Sequence, residues 1–192
     1  MRRDLVDSSK DELIELIESW FNRALQEDPE SIPLLNLLAR LREIQNNHKE
    51  AESIYRRLLD KPELDSRTRG IVLINLAFLL ALQKKDLTEA SQHVEEGIRL
   101  FGPTAEMLDT RAVVRMAQND ARRAIEDLEL ALQDNPTAAK YFHLTQAYLL
   151  AGDKQQASNS WEKAEEMDLG PQSLNDLEHD AYETVRKKIA QL

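Results

Sequence analysis

The sequence predicts an all-α protein made of repeated helical hairpins, and two observations lead to this prediction. One is a helical hairpin that can be recognised directly in residues 140–171. The other is the recurrence of its key positions along the chain at a nearly constant interval. Both observations concern packing positions, so they predict the architecture before they indicate a function.

The hairpin in residues 140–171 begins with an amphipathic helix. Tyr141, Leu144 and Tyr148 lie at i, i+3 and i+7, which is the spacing of one helix face. Gly152 can then take the positive φ that ends a helix, and Asp153 can accept hydrogen bonds from the free N–H groups of the next helix. The second helix carries a small, a large and a small residue on its packing face: Ala157, Trp161 and Ala164.

The same positions recur four times earlier in the chain. The packing positions equivalent to Ala157 are separated by 34, 39, 34 and 33 residues, and they are Ile17, Ala51, Ala90, Ala124 and Ala157. A second series of large residues keeps the same intervals: Phe21, Tyr55, Val94, Leu128 and Trp161. Two series in one register indicate a repeat architecture.

This pattern resembles the tetratricopeptide repeat (TPR), a helix-turn-helix unit of about 34 residues. The resemblance covers residues 13–171. It is weaker in the second complete repeat, which has five extra residues, and in the third, where Arg111 and Arg115 replace expected apolar residues. It implies stacked hairpins in a right-handed superhelical solenoid, in which each repeat contacts its neighbours. The ends of such a stack need capping helices.

We expect ten helices in a single TPR-like domain spanning residues 1–192. The predicted segments are an N-terminal helix at 8–28, repeats at 31–62, 66–102, 104–136 and 137–170, and a C-terminal capping helix at 172–192. Ser8 or Ser9 with Glu12 predicts a capping box at the start of the first helix.

Composition excludes several classes of function. The net charge is −10, from 35 acidic and 25 basic side chains, so the phosphates of a nucleic acid would be repelled. The chain has no cysteine, which removes disulfides and thiolate chemistry. No apolar run is long enough to cross a bilayer, and the N-terminus lacks an apolar core of signal-peptide length, so we expect no membrane insertion and a cytoplasmic location.

The sequence also gives no support for catalysis, a metal site or a cofactor. The four histidines lie far apart, with no pair at i, i+4 spacing: His48, His93, His143 and His179. All five glycines are isolated, so no phosphate-binding loop is predicted. Adjacent carboxylates such as Glu95 and Glu96 are explained as solvated helix faces.

The remaining candidate site is the concave surface that the resemblance implies. In TPR proteins the first helix of each hairpin lines a groove, and the positions beside the internal stripe point into it. The candidate binding residues are Asn36, Arg40, Ile74, Asn75, Phe78, Thr110, Val113, Phe142, His143 and Gln146. For Ile74 and Phe78 the alternative is cover by neighbouring helices, and for Phe142 and His143 it is a place in the core.

The groove does not match the carboxylate clamp that some TPR proteins use for heat-shock chaperone tails. Asn36, Arg40 and Asn75 fit the positions that the resemblance assigns to the clamp, but Glu106 and Thr110 stand where it needs cations. We therefore expect a different ligand.

The sequence is best explained by a non-enzymatic protein-interaction module or adaptor. Its expected partner is a peptide or helix of another protein, bound in the concave groove. The alternative is a regulatory or scaffolding TPR region of a larger enzyme or of an export or secretion assembly, and self-association is a further option.

Overall fold

The computed structural model describes the backbone of residues 2–192 and the side chains of residues 13, 14 and 16–192. Within these residues the chain forms ten α-helices and two 3-10 turns, with no β-strand, which confirms the all-α prediction. The helices are α1 (Arg2–Glu27), α2 (Ile32–Ile44), α3 (His48–Leu59), α4 (Ser66–Leu82), α5 (Leu87–Phe101), α6 (Ala105–Ala117), α7 (Ala121–Asp134), α8 (Ala138–Ala151), α9 (Lys154–Glu166) and α10 (His179–Ile189).

The chain divides between Leu64 and Asp65 into two compact units. The first unit contains α1, α2 and α3, and the second contains α4 to α10. The boundary falls in the loop predicted between the first two repeats. A single domain over residues 1–192 stays a prediction.

Each hairpin turn ends its first helix in the same way. A residue with positive φ follows the helix in each of the four hairpins: Asn46, Lys84, Asn119 and Gly152. The N–H of the residue after it donates a hydrogen bond back across the turn. In the last hairpin the Asp153 N–H donates to the Tyr148 carbonyl at 3.0 Å, closing the turn in a Schellman-type arrangement. The Asp153 side chain then accepts from the Gln156 N–H, as predicted.

The small residues of the repeat lie where paired helices approach. Ala51, Ala90, Ala124 and Ala157 are all fully buried, and each lies on the second helix of its hairpin. Among the described residues, the two helices of each hairpin contact each other more extensively than they contact any other helix. The packing role inferred from the repeat is therefore confirmed at these four positions.

The two end helices differ from their predicted bounds. Helix α1 begins at Arg2, earlier than the predicted 8–28, and the capping box proposed for Ser8, Ser9 and Glu12 falls on side chains outside the described residues. At the other end, residues 172–192 are not one helix. Two 3-10 turns, Pro171–Ser173 and Asp176–Glu178, come before α10.

Local hydrogen bonds explain why the last helix starts late. The Asn175 side chain accepts from the Leu177 N–H at 3.0 Å, and the Glu178 carboxylate accepts from the Asn175 N–H at 3.0 Å. This reciprocal capping fixes a tight turn in front of α10. Tyr182 and Val185 then bury their side chains in a cluster with Phe142 and Trp161.

Candidate functional site

The second unit contains an open groove of about 600 Å³ between its first helices and its C-terminal segment. We call it the C-terminal groove. One wall is formed by the ends of α4, α6 and α8, and the other by residues 177–188. Its lining residues are Ala81, Leu82, Lys84, Val113, Met116, Ala117, Gln146, Leu149, Leu150, Leu177, Glu178, Asp180, Ala181, Thr184, Val185 and Lys188.

The helical wall of the groove is a product of the repeat. Leu82, Met116 and Leu149 occupy equivalent positions near the ends of α4, α6 and α8, at intervals of 34 and 33 residues. All three line the groove and all are partly exposed. The repeat therefore aligns three flexible apolar side chains in a row along the groove, which suits contact with an apolar face of another chain.

His143 on α8 contacts two other elements, α6 and the second 3-10 turn. Its Nδ1 lies 2.7 Å from Asp109 Oδ1 on α6, and its Nε2 lies 2.7 Å from Glu178 Oε1 in the second 3-10 turn. His143 and Glu178 are 2% and 4% exposed. A buried imidazole between two carboxylates thus fastens the C-terminal segment to α6 and α8.

The surroundings favour the charged form of this histidine. Burial by itself would lower the pKa of His143, but the negative charges of Asp109 and Glu178 and the hydrogen bonds to both carboxylates raise it to about 10. Because both ring nitrogens face a carboxylate, the imidazolium can donate to both at once. Charge-assisted hydrogen bonds of this kind are stronger than neutral ones.

Two phenyl rings lie beside His143. The Phe78 ring centroid is 6.2 Å from the imidazole and that of Phe142 is 5.9 Å away. Phe142 is fully buried and also contacts Tyr182. This apolar surround excludes water from the ion pairs and strengthens them.

The structure separates the predicted groove residues into several environments. Val113 and Gln146 line the C-terminal groove. Ile74 and Asn75 line a second cavity of about 500 Å³ beside Phe101. Phe78 is half-buried, and its ring centroid lies 6.2 Å from that of His143 on α8, the first helix two repeats away.

Four predicted binding residues are buried. They are Thr110, Val113, Phe142 and His143, and for Phe142 and His143 this is the core position that the sequence analysis gave as the alternative. For Phe142 and His143 the physical reason is the C-terminal segment, which covers α8 with Glu178 and Tyr182. Residues 172–192 were predicted to cap the fourth repeat, and they supply this cover.

The other two predicted residues belong to the first unit. Asn36 is half-buried on α2, and its Oδ1 has no hydrogen-bond donor among the described residues. Arg40 is exposed on the same helix.

Sequence reasoning missed a second buried ionic cluster. Asp127 on α7 is 2% exposed. Arg111 of α6 donates two hydrogen bonds, of 2.9 and 2.7 Å, to its carboxylate. Arg115 adds a third of 2.5 Å. Hydrogen bonding to Asp127 raises the pKa of Arg111. The signal was available, because two arginines at interior positions of one helix require a buried anion nearby.

The described residues contain neither a cluster suited to a metal ion nor a helix suited to crossing a membrane. They contain no group of three or more His, Asp or Glu side chains placed to hold a metal ion. In the part of the chain that the structure describes, no helix combines the length and apolarity that crossing a bilayer requires.

Comparison with solved structures decides the fold. A thermophilic TPR protein of Thermus thermophilus superposes with a TM-score of 0.67 at 22% identity, covering 94% of both chains. The chain has a tetratricopeptide-repeat fold. No protein-family model and no curated protein sequence matches it.

Two further structures show the range of proteins with this TPR fold. PilF of Pseudomonas aeruginosa matches with a TM-score of 0.64 at 20% identity, over 97% of this chain and 84% of that one. A chain of the APC/C hetero-tetramer Cut9–Hcn1 matches with a TM-score of 0.68 at 20% identity, over 81% of this chain but 31% of its own. Identities this low establish similarity of fold.

Proposed function

We propose that the protein is a non-catalytic interaction module that binds a peptide or short helix of a partner protein in the C-terminal groove. The observation that carries this proposal is the row formed by Leu82, Met116 and Leu149, which the TPR repeat aligns along an open groove. An amphipathic helix or extended segment laid along the row would bury these side chains. Recognition of this kind rests on a few apolar anchors.

The pairing of buried charges supports the absence of catalysis. Asp127 is held by two arginines and His143 by two carboxylates. Their hydrogen-bonding capacity is used within the fold, whereas a catalytic acid or base must reach the proton that it moves. TPR proteins typically act as interaction modules, in agreement with this proposal, and a cytoplasmic location remains the sequence-based expectation.

A scaffolding role in a larger assembly is the second candidate. The fold superposes on 31% of a chain of the Cut9–Hcn1 hetero-tetramer, so the same architecture is compatible with a place inside a complex. The two candidates share the groove and differ in the number of partners that bind at once.

A photo-crosslinking experiment tests the groove. Leu150 lines the groove and is 43% exposed, so a photoreactive residue there should crosslink to the partner in cells. The same residue at Leu130, an exposed position on α7, is the control. Mass spectrometry of the crosslinked segment then defines a peptide for binding measurements.

Binding measurements with the purified peptide test whether the groove residues contribute to its affinity. Met116→Glu should weaken its binding by about tenfold or more, since burial of an apolar anchor commonly contributes over about 1.4 kcal/mol. Leu130→Glu should leave its affinity unchanged. Equal crosslinking at Leu150 and Leu130, or an unchanged affinity for Met116→Glu, would contradict the groove as the binding site.

A further inference from the structure

Two exposed lysines line the C-terminal groove, one on each wall. Lys84 follows the end of α4, and Lys188 lies in the last turn of α10. Among the described residues, neither lysine makes an ion pair. The chain is acidic, with 35 acidic and 25 basic side chains, and other cations of the second unit do pair, as Arg69 does with Glu96 at 2.8 Å. The groove therefore offers two cations whose charges are not matched within the described fold.

The backbone at Lys84 makes this lysine unusual within the repeat. Its φ is 52°, in the left-handed region that most residues with a Cβ avoid. The positive-φ residues of the other three hairpin turns are Asn46, Asn119 and Gly152, which are the residue types that tolerate this conformation best. A lysine at this turn thus carries a backbone strain that the other repeats avoid. Strain at a residue that lines a groove favours a role for its side chain in that groove.

The two acidic residues of the groove lining leave these lysines free. Glu178 is buried and lies 2.7 Å from His143, so its charge is matched within the fold. Asp180 is in the first turn of α10 and Lys188 in the last, about 12 Å apart along the helix axis. An acidic group that binds at Lys188 is therefore well separated from Asp180.

We propose that the segment bound in the C-terminal groove carries acidic residues beside its apolar anchors, and that their carboxylates pair with Lys84 and Lys188. The inference rests on the proposed function and specifies the ligand of the same groove. The C-terminal segment stays in place as one wall, held by the packing of Tyr182 on Phe142 and Trp161 at ring distances of 6.2 and 5.7 Å.

Complementary charge favours this occupant over a basic or a neutral one. The row of Leu82, Met116 and Leu149 offers the same apolar contacts to all three. A basic segment would be repelled by both lysines, and a neutral one would leave them unpaired. An acidic segment gains an ion pair on each wall. Because these pairs are exposed, each adds modestly to affinity and is weakened by salt, so their main effect is on specificity and association rate.

Selection from a random peptide-display library on the immobilised full-length chain tests the inference. Wild type should enrich peptides in which acidic residues adjoin apolar ones, against the repulsion of its own net charge of −10. The double variant Lys84→Glu with Lys188→Glu should lose this enrichment and favour basic residues, because reversing the charge of the receptor reverses the charge of the preferred ligand.

The matched control is the double variant Lys154→Glu with Lys187→Glu. Both lysines are exposed and lie outside the groove lining, and their replacement changes the net charge by the same amount. This control should enrich the same acidic peptides as wild type.

Affinity measurements with one enriched peptide sharpen the test. Replacing its acidic residues by Gln should weaken binding to wild type by about threefold to tenfold at low salt, and high salt should reduce the difference. Lys84→Asn gives this turn a residue type that other hairpins use. It should weaken binding of the acidic peptide while raising the urea midpoint of the chain, since it relieves backbone strain.

Enrichment of apolar peptides without an acidic preference, or the same preference in both double variants, would overturn the inference. An unchanged affinity of Lys84→Asn for the acidic peptide would also overturn it. In these cases the proposed function stands when Met116→Glu reduces the enrichment of apolar peptides. No enrichment by wild type, or equal enrichment by Met116→Glu, would reject the groove as a binding site and with it both proposals.

Discussion

The third and fourth repeats build the same hairpin from different interiors. Positions 33 residues apart are equivalent, so Arg111 and Arg115 of α6 correspond to Leu144 and Tyr148 of α8. The buried Asp127 of α7 corresponds to the buried Ser160 of α9. One repeat thus holds a bridged ionic cluster at the place where the other holds an aliphatic side chain, a phenol and a hydroxyl.

The comparison shows that the repeat backbone tolerates either solution when every buried polar group is paired. In the third repeat the two arginines neutralise Asp127. In the fourth repeat Leu144 is buried, while the Tyr148 hydroxyl reaches outward to Glu129 at 2.8 Å. The ionic solution depends on all three partners, because an unpaired buried charge is costly. The interior of the fourth repeat depends mainly on how well its side chains pack.

Breaking the ionic cluster is expected to have a large effect. Asp127→Ala leaves Arg111 and Arg115 facing each other without their shared anion, and should lower the free energy of unfolding by about 3 kcal/mol. Urea denaturation checks this value. Glu126→Gln on the exposed side of the same helix is the control and should change stability by less than about 0.5 kcal/mol. Equal midpoints for the two variants would show that the cluster contributes nothing.

The fourth repeat contains a buried charged group, His143. The pH dependence of the free energy of unfolding should reveal its charge. The pKa of His143 is about 10 in the folded chain and about 6.5 when unfolded, so the native state binds the extra proton between these values. The free energy of unfolding should therefore fall as pH rises from about 6.5 to about 10, with a limiting slope of about 1.4 kcal/mol per pH unit.

The variant His143→Gln should flatten this part of the pH profile, measured by denaturation at constant ionic strength. A wild-type profile without a decline between neutral pH and about 9 would mean that the histidine is neutral in the folded chain.

The smallest effect is expected from exchanging one interior for the other. The triple substitution Arg111→Leu, Arg115→Tyr and Asp127→Ser gives the third repeat the interior of the fourth, and should stay within about 1 kcal/mol of wild type because well-packed groups often replace a buried ion pair without loss. Calorimetry of the triple variant checks this. A destabilisation as large as that of Asp127→Ala would show that the two interiors are not interchangeable and that neighbouring helices differ in shape.

Much of the fold could be predicted from local patterns. Gly152 and Asp153 indicated a helix end and a cap because backbone conformation and capping depend on residues a few positions apart. The alanine series indicated the close helix contacts for a related reason, since each hairpin repeats the same short-range geometry. Of the candidate binding residues, Val113 and Gln146 line the groove whereas His143 and Phe142 are buried, and binding at these residues stays a prediction.

The sequence by itself therefore determined the helices, their turns and their small packing positions, all of which arise from interactions within about 40 residues. Only the tertiary structure showed that Arg111 and Arg115 share Asp127, and that Glu178 reaches back to His143. The physical reason is that an ion pair needs only its final distance and burial, so it leaves no periodic mark in the sequence. In this protein the Glu178–His143 pair is one of the contacts that join the C-terminal segment to α8.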